Sequence, residues 1–197
     1  MKVQQIILIA FLLSTGMKSS YGIKIQSTQT VSTVKTKENL KTSPSIDSIL
    51  IESRVEHEFS QIDKKDEFYI CIRGKSIVEG RVIFKIVRSD KTVILEKEFP
   101  TYLLMNYGFD GDLNSIKDRE KYMISRIEEF FNEKNFLYPA IKKDEQFDQD
   151  YSDKETWDEI KSDQTAIGFS YLVGEEDGRK IAFSKKQKKV VMYFNCC

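Results

Sequence analysis

The stretch that decides the fold is residues 115–131, SIKDREKYMISRIEEFF. Its apolar residues recur at helical spacing, which predicts an amphipathic helix over about 115–134. Ser115 precedes the stripe and Asp118 follows three residues later, as in a capping box with Asp in place of Glu. The stripe consists of Ile116, Met123, Ile124, Ile127, Phe130 and Phe131. An apolar stripe of this kind must cover a neighbouring layer of the domain.

Strand patterns lie on both sides of this helix. Apolar and polar residues alternate from Ile49 to Phe59, which is typical of a half-buried strand. Further strands are predicted at 68–73, 81–88, 92–99, 166–173, 180–184 and 190–194, with a short helix at 156–161. Asp177-Gly178 is a hairpin signal. The predicted fold class is therefore α+β: one antiparallel sheet of about six to seven strands, with one main amphipathic helix packed on one face.

The N-terminus predicts export. Lys2 precedes the apolar run 6–13, and the small residues Ser20 and Gly22 stand at the −3 and −1 positions of a cleavage site. The run is shorter than the ~20 apolar residues of a membrane-spanning helix. No cysteine follows it directly, so a lipid anchor is not predicted there.

The chain is expected to have three parts. Residues 1–22 are the predicted signal peptide, 23–45 a flexible leader rich in Ser, Thr and Lys, and 46–197 a single α+β domain. The predicted location is secreted or periplasmic, with no stable membrane insertion after signal cleavage.

The charge balance argues against nucleic acid as a partner. The chain has 31 basic and 31 acidic residues. Without Lys2 and Lys18 of the signal, the chain has 29 basic and 31 acidic residues, which gives a net charge of −2. A near-neutral domain has no large field to attract a polyanion. No glycine-rich phosphate loop or other cofactor motif is present, so we predict no cofactor.

Three cysteines leave the disulfide pattern open. Cys71 lies in a predicted strand, and Cys196 and Cys197 end the chain. Cys71 could pair with either terminal cysteine, or these two could pair with each other. Three reduced thiols are the alternative.

An acidic stretch comes near to a calcium loop. Asp148, Asp150, Ser152 and Glu159 stand at loop positions 1, 3, 5 and 12. Position 6 requires glycine for the sharp turn, but this chain has Asp153 there. We therefore interpret the stretch as a solvated acidic loop and predict no metal site.

Two further features have plain structural interpretations. His57 is the only histidine, and it lies on the apolar side of its predicted strand, as a core or rim residue does. The basic run 185–189 is predicted to be a solvated turn that faces the acidic turn 175–177. No nucleophile motif or acid–base spacing accompanies either feature, so the catalytic residues stay unknown.

Several stretches resemble small exported proteins of unknown function from Bacteroides-type bacteria. The resemblance is carried by residues 72–76 (IRGKS), 79–86 (EGRVIFKI), Phe99-Pro100, Phe130-Phe131 with Phe136 and Pro139, and Asn195-Cys196-Cys197. It implies no activity.

The expected function is a non-enzymatic binding or interaction domain of a bacterial envelope, with a protein or glycan as partner. The alternative is a hydrolase or carbohydrate-active accessory protein whose Asp and Glu carboxylates converge only in the folded chain.

Overall fold

The computed structural model describes residues 45–106 and 108–196. The predicted signal peptide, the leader up to residue 44 and Cys197 lie outside the described residues. The strands are β1 Ile49–Glu58, β2 Lys65–Arg73, β3 Arg81–Val87, β4 Val93–Pro100, β5 Phe136–Leu137, β6 Gly168–Val173, β7 Asp177–Ser184 and β8 Lys189–Cys196. The helices are α1 Ile116–Glu129 and α2 Lys154–Ser162, with 3-10 turns at Thr101–Leu104 and Glu133–Asn135.

The α+β class is confirmed, but the prediction of one sheet is wrong. The strands form two antiparallel four-stranded sheets, ordered β1-β2-β3-β4 and β5-β6-β7-β8. Within each sheet every strand pairs with its neighbour in the chain. The second sheet includes β5, which has only two residues and therefore no period-2 pattern that the sequence could display. Because alternation marks the buried side of a strand but not its partners, it cannot distinguish one sheet from two.

The two sheets bury their aromatic faces in one common core. Phe68 and Phe84 of the first sheet and Phe169 of the second are completely buried. The Phe169 ring centroid lies 5.3 Å from that of Phe68 and 5.7 Å from that of Phe84. Apolar faces of both sheets are thus removed from water together, which is the main stabilising contribution of such a layered fold.

Helix α1 begins where its sequence predicts and ends early. Ser115 Oγ accepts a hydrogen bond from the Asp118 N–H, at 3.2 Å, which caps the helix. Met123 and Ile127 join the common core, whereas Ile116, in the first turn, is largely exposed. The helix stops at Glu129 and not near residue 134, and Asn135 Nδ2 donates to the Phe130 carbonyl at 2.9 Å.

Helix α2 packs on the outer face of the second sheet. Trp157 and Ile160 of α2 are buried with Ala182, Val191 and Tyr193 of β7 and β8. The predicted helix at 156–161 is therefore present with slightly wider bounds. It is α2, together with α1, that makes this a layered α+β domain.

The outer face of the first sheet is covered by paired charges. Tyr69 donates to Glu52 at 3.1 Å, and the Arg54 guanidinium carbon lies 4.1 Å from the Tyr69 ring centroid. Arg54 also forms ion pairs with Glu52 and Glu67, both at 3.3 Å. Such exposed pairs add little stability.

No helix in the described part of the chain has the length and apolar character needed to cross a membrane.

Candidate functional site

The single histidine lies where the two sheets meet at one edge. His57, near the end of β1, stacks on Phe136 of β5 with ring centroids 3.8 Å apart and an interplanar angle of 6°. Its ring is mostly buried, and the exposed Glu133 carboxylate lies 3.5 Å from Nε2. His57 is thus a rim residue of the aromatic core.

The hydrogen bonds of His57 define its neutral tautomer. Nδ1 lies 2.8 Å from the Glu58 carbonyl oxygen, which can only accept, so Nδ1 carries the proton. Nε2 of the neutral ring is then an acceptor for the Tyr138 hydroxyl, which lies in close contact with it. Tyr138 is held by this bond, although 54% of its surface is exposed.

Tyr138 belongs to the lining of an open groove of about 640 Å³. The groove follows the chain from β5 into the next loop and reaches across to β7. Its lining comprises Phe136, Leu137, Tyr138, Pro139, Ala140, Lys142, Asp144, Glu145 and Lys180. We call this the Tyr138 groove.

Opposite charges are held together within the groove. Lys180 Nζ lies 3.3 Å from Glu145 Oε1 and 4.6 Å from the Phe194 ring centroid. The Lys142 N–H donates to Glu145 Oε2 at 3.3 Å, and Lys161 Nζ donates to the Glu145 carbonyl. Glu145 is therefore the fixed centre of the charged end of the groove.

The segment between Tyr138 and the charged end is pinned on both sides. The Tyr138–Pro139 peptide bond is cis. The Ala140 N–H donates to the Ala166 carbonyl, and Tyr193 Oη donates to the Ala140 carbonyl, both at 2.7 Å. Burial raises the pKa of Tyr193, so this phenol keeps its proton and stays a donor. The groove wall is thus fixed before any ligand arrives.

The near-calcium residues have separate roles in the structure. Asp148 Oδ1 accepts from the Asp150 N–H at 2.9 Å, in a local turn. Asp153 caps α2 by accepting from the Thr156 N–H at 2.9 Å. Glu159 lies on α2 and faces the β7–β8 turn. Among the described residues, no group of three or more His, Cys, Asp or Glu side chains is arranged to hold a metal ion.

The basic turn 185–189 pairs with α2, and the prediction that it faces the acidic turn 175–177 is wrong. The two turns lie at opposite ends of β7, because β6, β7 and β8 form consecutive hairpins. Lys185 instead pairs with Asp163 at 2.7 Å, and Lys186 with Glu155 at 2.9 Å.

Glu159 connects α2 to this turn. It accepts from the Ser184 hydroxyl, from the Lys186 N–H at 3.2 Å and from Gln187 Nε2 at 3.4 Å. Burial acts to raise the pKa of Glu159, but these hydrogen bonds and the Lys186 charge outweigh it and hold the pKa below its ordinary value of 4.5.

Acid is therefore expected to weaken the attachment of α2. A carboxylate whose pKa is lowered by folding contributes stability above its unfolded pKa, and that contribution disappears as the pH falls through the folded value. We expect Glu159→Gln to lower the melting temperature at pH 7, and the difference from the unmodified chain to shrink as the pH falls below 4.5. Melting temperatures of both chains, measured from pH 7 down into the acidic range, test this prediction. A difference that stays constant with pH would contradict it, and Glu175→Gln, in the opposite turn, is the control.

Cys71 is a buried free thiol on β2. Neither predicted pairing that includes Cys71 is therefore formed in this structure. The pairing of Cys196 with Cys197 involves Cys197, which lies outside the described residues, and it stays a prediction.

Comparison of the chain with protein-family models, curated proteins and solved structures gives no match. The resemblance to small exported proteins of Bacteroides-type bacteria stays a prediction. Sequence reasoning missed the Tyr138 groove, since Tyr138 lies 81 residues from His57 and Lys180 lies 35 residues from Glu145.

Proposed function

We propose that this chain is an exported, non-enzymatic binding domain of a bacterial envelope, and that the Tyr138 groove takes a neutral, hydroxyl-rich glycan. The observation that carries the proposal is the half-exposed Tyr138 ring, held in place at the rim of an open groove. The secreted or periplasmic location rests on the predicted signal peptide.

A fixed, exposed aromatic ring suits a binding site. Tyr combines a large apolar surface with a polar end, and it loses little conformational freedom when it binds. Here the hydrogen bond to His57 and the two bonds that hold Ala140 have already restricted that freedom. Preorganisation of this kind lowers the free-energy cost of association.

The charges of the groove favour a neutral, polar ligand. Lys142 and Lys180 balance Asp144 and Glu145, so the groove has no excess charge to attract an ion. A hydroxyl group both donates and accepts hydrogen bonds. It can therefore accept one from an ammonium group and donate one to a carboxylate at the same time. Sugar hydroxyls match this mixture better than a phosphate or a carboxylate would.

The alternative, a carbohydrate-active hydrolase, uses the same groove. Asp144 and Glu145 both line it, and glycoside hydrolysis commonly uses two carboxyl groups. One of the pair must hold a proton to act as the acid. Glu145 is already occupied by an ion pair with Lys180 and by the hydrogen bond from the Lys142 N–H. This arrangement supports binding more than hydrolysis.

Replacement of Tyr138 by alanine tests the binding site. We expect it to weaken the affinity for a bound neutral oligosaccharide about tenfold or more, because a central aromatic contact is lost. The measurement is titration calorimetry with cello-, chito-, xylo- and manno-oligosaccharides. The matched control is Tyr102→Ala, since Tyr102 is 62% exposed and does not line the groove.

Two outcomes would contradict this proposal. One is the absence of binding to any of these oligosaccharides, and the other is an equal loss in both tyrosine variants. Release of new reducing ends during incubation, abolished in Asp144→Asn, would favour the hydrolase.

A further inference from the structure

Among the described residues, no strand lies beside one flank of β6 over most of its length. Strand β6 runs from Gly168 to Val173, but β5 pairs only with Gly168 and Phe169. On the other flank β7 pairs with every residue of β6. Beyond β6 the Gly174 N–H on this flank donates to the Leu103 carbonyl at 2.6 Å, so the short open edge is confined to Ser170 and Leu172.

The backbone groups at this edge follow from the alternation of an antiparallel strand. Each residue directs its N–H and C=O to the same side, and successive residues alternate. The Ala166 carbonyl accepts from Ala140, on the β5 side. Ser170 and Leu172 are an even number of residues from Ala166, so their N–H and C=O groups point to the same side, toward the open flank. Tyr171 directs its N–H and C=O toward β7.

A cleft of about 270 Å³ lies along this edge, between β6 and the end of α1. Its lining comprises Ser170, Tyr171, Leu172 and Gly178 of the sheet and Arg126, Glu129, Phe130, Lys134 and Asn135 of α1 and the turn after it. Two basic side chains and one acidic side chain therefore line the cleft. An extended segment, and not a helix, presents the alternating N–H and C=O groups that pair with a strand edge.

Arg126 supplies a second, independent observation. Its Nε atom is buried and has no hydrogen-bond partner among the described residues. A buried donor without a partner is costly, and a guanidinium is satisfied best by a carboxylate. The cleft thus combines a strand edge with a donor suited to an anionic group.

We propose that this cleft binds an extended peptide that carries a carboxylate, added to β6 as a strand. The peptide backbone pairs with the N–H and C=O groups of Leu172 and Ser170, as in other cases of strand addition. Its carboxylate accepts a hydrogen bond from Arg126. This site is separate from the Tyr138 groove, and its lining residues differ.

Hydrogen exchange of the free, full chain tests the open edge. The Leu172 amide is expected to exchange at least about tenfold faster than the Tyr171 amide, which pairs within the sheet. Equal protection of the two amides would overturn the proposal, because the edge would then already be occupied.

Selection from a library of random hexapeptides tests the occupant. We expect bound peptides to contain Asp, Glu or a free C-terminus that Arg126 recognises, and to protect the Leu172 amide from exchange. Arg126→Gln is expected to weaken binding about tenfold or more. Arg119→Gln is the control, because Arg119 lies on the same helix, also has a buried Nε without a partner among the described residues, and does not line the cleft.

Methylation of alternate peptide nitrogens separates strand addition from simple ion pairing. Methylation on the edge-facing nitrogens should abolish binding, whereas methylation on the others should not. Failure to select any peptide, equal effects of the two arginine variants, or indifference to methylation would each overturn the proposal.

Discussion

Replacement of Phe169 by alanine is expected to lower the free energy of unfolding by about 3–5 kcal/mol. Phe169 is completely buried where the two sheets and α1 meet, with its ring centroid 4.9 Å from that of Phe136 and 5.8 Å from that of Phe130. Removal of the ring loses the favourable free energy of burying it away from water. It also leaves a cavity that the six neighbouring aromatic rings cannot fill without moving. Urea denaturation measures the change.

The control for this prediction is Met192→Ala. Met192 lies in β8 of the same sheet but is 49% exposed, so its truncation should cost less than about 1 kcal/mol. A Phe169→Ala chain no less stable than the Met192→Ala chain would show that the sheets do not share this core.

Replacement of Gly168 by alanine is expected to destabilise the chain by about 1–3 kcal/mol and to disturb the Tyr138 groove. An added Cβ would lie 2.7 Å from Tyr193 Oη and 3.1 Å from Ala140 Cα, both closer than such atoms normally approach. Tyr193 is completely buried and cannot swing away, so the Ala140 backbone must move. The effect combines overpacking with the loss of a buried hydrogen bond.

A double-mutant cycle with Tyr193→Phe tests this mechanism. Tyr193→Phe alone leaves the buried Ala140 carbonyl without its donor and is expected to cost about 1–3 kcal/mol. In the double variant the clash with the hydroxyl is absent, so the total should be smaller than the sum of the two single losses. Denaturant unfolding of the four chains measures the coupling. Strict additivity would show that Gly168 and Tyr193 act independently.

The groove and the core are therefore linked through one contact. Tyr193 is buried under α2, yet its hydroxyl holds the segment that carries Tyr138. Glycine at position 168 allows β6 to lie close enough for that bond to form. Stability of the second sheet and the shape of the candidate binding site thus depend on the same residues.

Much of the secondary structure was predictable because its signals are local. The cap at Ser115, the stripe of α1 and the alternation of β1 each arise from neighbouring residues. The errors occurred where distant residues intervene. The division of the strands into two sheets, for example, depends on Phe169 packing against Phe68, about a hundred residues away in the chain.

The candidate site was much less predictable. His57 was recognised as a rim histidine, but its partner Tyr138 had no motif that marked it. Lys180 and Glu145 meet only because β7 lies beside the chain that follows β5. The near-calcium spacing, by contrast, was visible in the sequence, but Asp148 closes a local turn and Glu159 accepts hydrogen bonds from the β7–β8 turn.

The sequence by itself determined the periodicity of most elements, the positions of most turns and the formation of α1. Only the tertiary structure decided that the strands divide into two sheets, and that Tyr138 meets His57. The physical reason is that periodicity and turn chemistry act over a few residues and specify one buried face for each element. The choice of which face packs against which is made by the burial of Phe68, Phe84 and Phe169 together, across some hundred residues of chain.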